Sequence, residues 1–308
     1  MLQQAVDERR LAVIDMGNDR DIANSVGGKH ISGPRKGGAL YRQYQIAAVE
    51  RDTLIRTAHY QRFDMNVALI TGASSGIGAA TAIEFADAGW NVMAAGRDEA
   101  RLAEVAEVSS NIATWAGDLV EPDDCDDLVA DTIDEFGSID CLVNSAGVLP
   151  RGNAEETSDD DWRDTMSINL DVPFYLSRSA LPSLLKSEGS IINISSYWGL
   201  RAGPRALAYC VSKGGLIQFT RAMALDYAAD GLRVNAICPG GVDTPMLAEG
   251  AVARDVDVDS FLAEIAEHSP NKRVADPGDI ASLVLFLAGD AAKHITGTAI
   301  PIDGGLWA

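Results

Sequence analysis

From Met65 onward, short apolar runs alternate with stretches of helical period. The runs are NVALI (66–70), NVMAAG ending at Gly96, IATWAG, IDCLVN, SIINIS (190–195), the core of GLRVNAICPGG, and a last one leading into Asp303-Gly304-Gly305. Each is continuous rather than alternating, which is the pattern of a strand covered on both faces. Between them lie AATAIEFADAG, an acidic stretch Asp123–Phe136, a long stretch Asp160–Lys186, a further one Arg205–Asp226, and one more helix near the end. In the long stretch Trp162, Met166, Leu170, Phe174 and Leu181 define an apolar helical face, and Pro173 predicts a local kink. Seven strands alternating with helices predict an α/β fold, a doubly wound parallel sheet of Rossmann type, with ligands across the carboxyl ends of its strands. The rhythm stops at Met246–Asn271, where two short helix-like pieces offer Met246, Leu247, Phe261 and Leu262 as apolar wall residues.

The first run opens into TGASSGIG (Thr71 to Gly78) and then a helix. In the order strand, glycine loop, helix, Gly72 permits a tight turn, Gly76 lets the backbone approach a pyrophosphate, and Gly78 lets the helix pack on the strand. Phosphates then sit at the helix N-terminus. At the end of the second run stands Gly96-Arg97. An acidic residue there would bind a ribose 2′-hydroxyl, whereas a small residue followed by Arg leaves room and charge for a 2′-phosphate, so NADP(H) is expected over NAD(H). Ser75, where a second basic residue would strengthen that expectation, does not add to it. Tyr209 and Lys213 lie four residues apart in a helical stretch, on one face and one turn from each other. An ammonium beside a phenol is expected to lower the phenol pKa from about 10 toward neutrality, where acid–base catalysis works best. Ser196 stands 13 residues before the tyrosine, at a strand end.

A Tyr-x-x-x-Lys pair alone is common in ordinary amphipathic helices. Together with N-I-S-S upstream and the glycine loop, it resembles the short-chain dehydrogenase/reductase family in its compact form, over about residues 65 to 308. The resemblance implies Tyr209 as acid–base, Ser196 as hydrogen-bond partner of the substrate oxygen, and Lys213 as the group that tunes the tyrosine and holds the nicotinamide ribose. It implies that Asn169, in S-I-N-L, distorts its helix and holds a water linking the lysine to solvent. It further implies a cofactor site of Gly72, Ser74, Ser75, Gly76, Ile77, Gly78, Arg97, Asp118, Leu119, Asn144, Ala146, Gly147, Tyr209, Lys213, Pro239, Gly240, Val242 and Thr244. In that set Asp118 and Leu119 face the adenine, Asn144-Ser145-Ala146-Gly147 stands for the family's N-N-A-G with Ser145 as a mild departure, and Val242 and Thr244 contact the carboxamide. Thr71 and Asn144 read equally well as structural hydrogen-bonders. The pattern is similar to 3-oxoacyl-carrier-protein reductases and to sugar or cyclic-alcohol dehydrogenases, and implies a homotetramer or dimer with a mobile substrate lid at 246–271. A catalytically silent nucleotide-binding regulator on the same fold is the alternative, which retention of all four catalytic positions disfavours.

Charge changes the picture at two points. Residues 1–64 hold ten basic and eight acidic residues, against 15 basic and 37 acidic in 65–308, for a net charge of −20 in the whole chain. Nucleic-acid binding is therefore disfavoured, and an acyl-carrier protein, itself acidic, meets a repulsive field despite Arg201, Arg205, Lys272 and Arg273, so a free small carbonyl or alcohol substrate is expected. With Asp over Glu at 31 to 14 and Arg over Lys at 19 to 6, the surface resembles that of proteins from salt-accumulating microbes. Residues 1–64 read as a flexible or misassigned extension, with Met65 a plausible start since family members begin in this way. No apolar run reaches the roughly 18 residues of a membrane span, and the first residues lack a signal core. Four cysteines without framework spacing fit reduced thiols in a cytoplasm, and His30, His59, His268 and His294 show no metal-ligand spacing, so no catalytic metal is expected.

Overall fold

A computed structural model describes residues 65–252 and 255–306. The expectations for residues 1–64 lie outside the described residues. Seven parallel strands form one sheet: β1 (Val67–Thr71), β2 (Asn91–Gly96), β3 (Ile112–Ala116), β4 (Cys141–Asn144), β5 (Ser190–Ile194), β6 (Arg233–Pro239) and β7 (Ala299–Ile302), in the spatial order β3-β2-β1-β4-β5-β6-β7. The order reverses between β1 and β4, so the crevice at a topological switch point opens over the ends of those strands. Val67 pairs with Asn91 and Ala68 with Cys141, which sets the carboxyl ends of the central strands level with one another. β1, β2, β4, β5 and β6 are buried throughout, as their unbroken apolar runs require. The edge strand β3 instead alternates between more and less covered positions.

Two apolar layers, one on each face, hold helices to the sheet. One is built on Ile70, Phe85, Val143, Ile192 and Val284, the other on Leu69, Leu128, Leu142, Leu176 and Ile191. The helices are α1 (Gly76–Asp87), α2 (Glu99–Ala106), α3 (Pro122–Phe136), α4 (Asp159–Met166), α5 (Val172–Lys186), α6 (Tyr197–Leu200), α7 (Leu207–Tyr227), α8 (Pro245–Val252), α9 (Val258–His268) and α10 (Pro277–Ala288). Their ends follow local chemistry. Pro122 opens α3 and Gly137, at φ 88°, closes it. Asp276 and Asp279 form a reciprocal capping box on α10, and the Asp257 side chain accepts from the Asp259 and Ser260 amides at the start of α9.

Three expectations are corrected. The catalytic-region helix begins at Leu207 rather than Arg205, because Arg205 takes φ 52° and Ala206 φ −148°. The stretch 160–186 is not one kinked helix: a π-helical turn, Ser167–Asp171, separates α4 from α5, and Pro173 falls in the first turn of α5, where proline is tolerated. The buried face of this pair runs through Thr165, Asn169, Val172, Leu176, Ala180 and Leu184. The expected apolar face is partly in solvent, with Trp162 37% and Phe174 44% exposed.

Candidate active site

The glycine loop between β1 and α1 is shaped by its backbone. Gly72 and Gly76 take φ 67° and 53°, and a Cβ on Gly72 would stand 2.8 Å from the Ala146 nitrogen. On Gly78 a Cβ would meet the Gly72 carbonyl oxygen at 2.2 Å. Glycine at these positions brings the loop against the β4 end, and Thr71 Oγ1 secures the join by accepting from the Ser145 and Ala146 amides at 3.1 and 3.2 Å. The Ser75 side chain makes no capping bond at the start of α1, which leaves the first amides of a 12-residue helix facing the crevice. Thr244 closes the cradle from above, its Cγ2 3.1 Å from where a Gly76 Cβ would sit. A cradle that any side chain would fill, ending on a helix N-terminus, fits the pyrophosphate of a dinucleotide.

This loop is one end of a cleft of about 1140 Å³. Of the residues expected to be catalytic or to bind the cofactor, all line it except Asn144 and Asn169. Asn144 Nδ2 donates to Asn193 Oδ1 at 2.8 Å, and Asn193 Nδ2 to Thr220 Oγ1 at 2.9 Å, a buried chain that ties β4 and β5 to α7. Thr71 and Asn144 are thus structural hydrogen-bonders here. Asn169 is fully buried, and its Nδ2 donates to the Val148 carbonyl and to Ser212 Oγ, each at 3.0 Å, while its Oδ1 accepts from the Val148 amide at 2.9 Å.

The three remaining residues of the expected catalytic set, Ser196, Tyr209 and Lys213, all line the cleft. Ser196 ends β5 and caps α6, its Oγ accepting from the Trp198 amide at 3.0 Å. Its hydroxyl also hydrogen-bonds Tyr209. Lys213, 4% exposed, donates from Nζ to the Ile194 carbonyl at 2.8 Å and lies 5.8 Å from the Tyr209 ring centre. Gly147 lets the β4 loop approach both Lys213 and Asn169: a Cβ there would be 3.4 Å from Lys213 Nζ and 3.2 Å from Asn169 Oδ1. The protein's own groups do not lower the phenol. Burial pushes the Tyr209 hydroxyl up to about 12, against the opposing pull of Ser196 and Arg151, and burial brings the Lys213 ammonium down to about 8. Burial is the larger effect at both groups, and it disfavours the charged form of each.

A family profile described as Enoyl-(Acyl carrier protein) reductase matches residues 72–307. An uncharacterized oxidoreductase of Thermotoga maritima is 39% identical over 251 residues, covering 79% of this chain and 98% of that one. Meso-2,3-butanediol dehydrogenase of Serratia marcescens is 38% identical over 249 residues, covering 79% and 95%. The crystal structure of an actinorhodin polyketide ketoreductase with NADPH superposes at a TM-score of 0.75 and 33% identity, over 79% of this chain and 97% of that one. The chain belongs to the short-chain dehydrogenase/reductase family. It is an NAD(P)-dependent oxidoreductase that interconverts alcohols and carbonyls and acts on small molecules.

Within this short-chain dehydrogenase the two ends of the cleft differ. At the strand end of β2, Gly96 approaches Ser74, whose Oγ lies 3.2 Å from a Gly96 Cβ position, and Arg97 and Asp98 line the wall. Asp118 Oδ1 accepts from the Leu119 amide at 2.8 Å, which fixes the turn that carries both residues into the cleft. Sequence reasoning missed Arg101, one helical turn beyond Asp98 and paired with it at 3.2 Å, although i, i+3 spacing could have found it. The opposite end is an aromatic and basic mouth. Arg151 stacks on Trp198 at 4.9 Å, and Trp198 meets Tyr209 edge-on at 6.2 Å. Gly203 has no room for a Cβ, which would stand 2.2 Å from the Trp198 ring. Met246, Leu247 and Phe261 line this end as expected, whereas Leu262 does not and Ile265 takes its place. Lys272 and Arg273 are also absent from the cleft, being paired with Glu267 and Asp279. Arg151 and Trp198 carry no sequence signal, because loops that meet only in the fold bring them together.

Proposed function

We propose that the enzyme transfers hydride between NADP(H) and a small free secondary alcohol or its carbonyl, with Tyr209 as the acid–base. The observation that carries this reading is the meeting of Ser196, Tyr209 and Lys213 at one point of a cleft that runs from the glycine cradle to the aromatic mouth. Ser196 hydrogen-bonds the substrate oxygen as charge develops, Tyr209 gives or takes its proton, and Lys213 holds the ribose. The nicotinamide supplies the hydride and, when oxidised, a positive charge beside the phenol. The π-turn at Ser167–Asp171 frees main-chain hydrogen-bonding capacity next to Asn169, which supports its role in a water path to Lys213. Gly96, Ser74 and Arg97 support the 2′-phosphate preference. Exposed Phe174, Leu207 and Val211 support a dimer or tetramer. Free thiols at Cys125, Cys141, Cys210 and Cys238 fit a reducing cytoplasm, and no helix among the described residues is long and apolar enough to cross a membrane.

Tyr209→Phe tests the assignment. Turnover is expected to fall about 10²–10⁴-fold, the range for loss of a general acid–base, with NADPH affinity within about 2-fold of wild type. Retained turnover would remove Tyr209 from the reaction.

A further inference from the structure

The basic mouth of the cleft runs against the charge of the chain. In a protein of net charge −20, three arginines, Arg151, Arg201 and Arg205, line the end nearest Tyr209. They are not equivalent. Arg205 is joined to Glu156 at 2.7 Å, and Arg151 is held on the Trp198 ring. Arg201 sits just past the end of α6, is exposed, and makes no ion pair among the described residues. Arg201 and Arg151 both lie close enough to the Tyr197 hydroxyl to favour its ionised form, while Asp303 opposes them and burial raises it overall. Arg151 is felt at Tyr209 as well. Arg151, Tyr197 and Arg201 all line the cleft that holds Ser196 and Tyr209, the Arg201 amide donating to the Tyr197 carbonyl at 3.0 Å, with Glu264 and His268 of α9 in the same lining. Without a carboxylate partner among the described residues, the Arg201 donors are open to a ligand in the cleft. A carboxylate answers its planar pair of donors.

We propose that the substrate is a hydroxy or oxo acid, whose carboxylate is held by Arg201, with Arg151 and the Tyr197 hydroxyl alongside, while its reacting carbon lies against Ser196 and Tyr209. In the oxidative direction the C–H hydride of the alcohol passes to the oxidised nicotinamide and the hydroxyl proton to Tyr209, leaving the oxo acid. The proposal rests on the dehydrogenase reading above, and it adds the chemical class of the substrate to that reading.

The test uses the full chain with NADP⁺ and matched probes: 3-hydroxybutanoate and 4-hydroxypentanoate against their neutral carboxamides, on wild type and Arg201→Ala. The acids are expected to exceed the amides in kcat/KM by about 10-fold or more, and Arg201→Ala to raise KM for the acids about 10–100-fold while leaving the amides within about 2-fold. A turnover-independent arm titrates butanoate and pantetheine 4′-phosphate into the enzyme–NADPH complex, followed by nicotinamide fluorescence at low salt. Butanoate is expected to bind, about 10-fold more weakly in Arg201→Ala. Amides used as well as acids, an Arg201→Ala effect equal on both, no butanoate binding, or tighter binding of the phosphate ester would each overturn the carboxylate assignment. None of those results touches the dehydrogenase reading, which falls instead if Tyr209→Phe retains turnover.

Discussion

Arg97 and Arg101 line the same end of the cleft, beyond β2, but stand in different electrostatic positions. Arg101 is paired with Asp98, whereas Arg97 is exposed and makes no ion pair among the described residues. Of the two, only Arg97 would offer an uncompensated charge to the 2′-phosphate of the proposed NADP(H). Arg97→Ala is therefore expected to weaken NADPH about 10–100-fold, the cost of one charge-assisted contact, and to leave NADH within about 2-fold. Fluorescence titration checks it, and equal affinity of the wild type for both cofactors would exclude a 2′-phosphate site there. At this scale, what the sequence made legible was spacing. Tyr209 and Lys213 had to share a helical face, and Gly72, Gly76 and Gly78 had to leave a cradle. Protonation was not legible, since the approach of Lys213 to Tyr209 follows from four-residue spacing while the burial that raises the phenol is a property of the packed fold.

Between α4 and α5 the reading of an element went further wrong than the reading of its residues. A π-turn adds one residue to one turn and leaves an amphipathic pattern nearly intact, so residues 160–186 looked continuous apart from two irregularities, Pro173, where a kink was expected, and Asn169, where the family resemblance implied a distortion. What does mark the turn is Asn169, a poor helix-interior residue held at zero exposure. Its amide clamps the Val148 backbone through both a donor and an acceptor and reaches Ser212 on the catalytic helix. That clamp couples the β4 loop, where Gly147 faces Lys213, to α7. Asn169→Ala removes the partner of the part-buried Val148 amide and carbonyl and is expected to cost about 1 kcal/mol of stability together with a fall in kcat. Denaturant unfolding and steady-state kinetics measure the two, and unfolding that matches wild type would show the clamp to be idle. The five inner strands, by contrast, were legible from their unbroken apolar runs, because a strand covered by helices on both faces has to be apolar throughout, whereas the edge strands β3 and β7 are only partly covered.

Over the whole molecule, charge and apolar surface act in opposite senses on self-association. Phe174 is 44% exposed, Leu207 40% and Val211 46%, and the Phe174 ring meets Phe219 of α7 edge-on at 6.4 Å, so the apolar stripes of α5 and α7 adjoin. The sequence displayed the apolar face of the 160–186 stretch but not which way it points, since its burial depends on how the helices pair. Two copies joined through this surface would remove apolar area from water, yet each brings a net charge of −20. The repulsion reaches about 10 Å at 0.1 M salt and about 3 Å at 1 M, whereas apolar contact is not screened. Association through this face should therefore tighten as salt rises, the reverse of an interface held by ion pairs. Light scattering at 0.1 and 1 M salt is expected to show the larger species gaining with salt in the wild type, and Val211→Asp to shift it toward monomer at both. A wild type that stays monomeric throughout would leave the exposed stripes without a partner copy, and an oligomer that dissociates in salt would place its contacts among charged side chains instead.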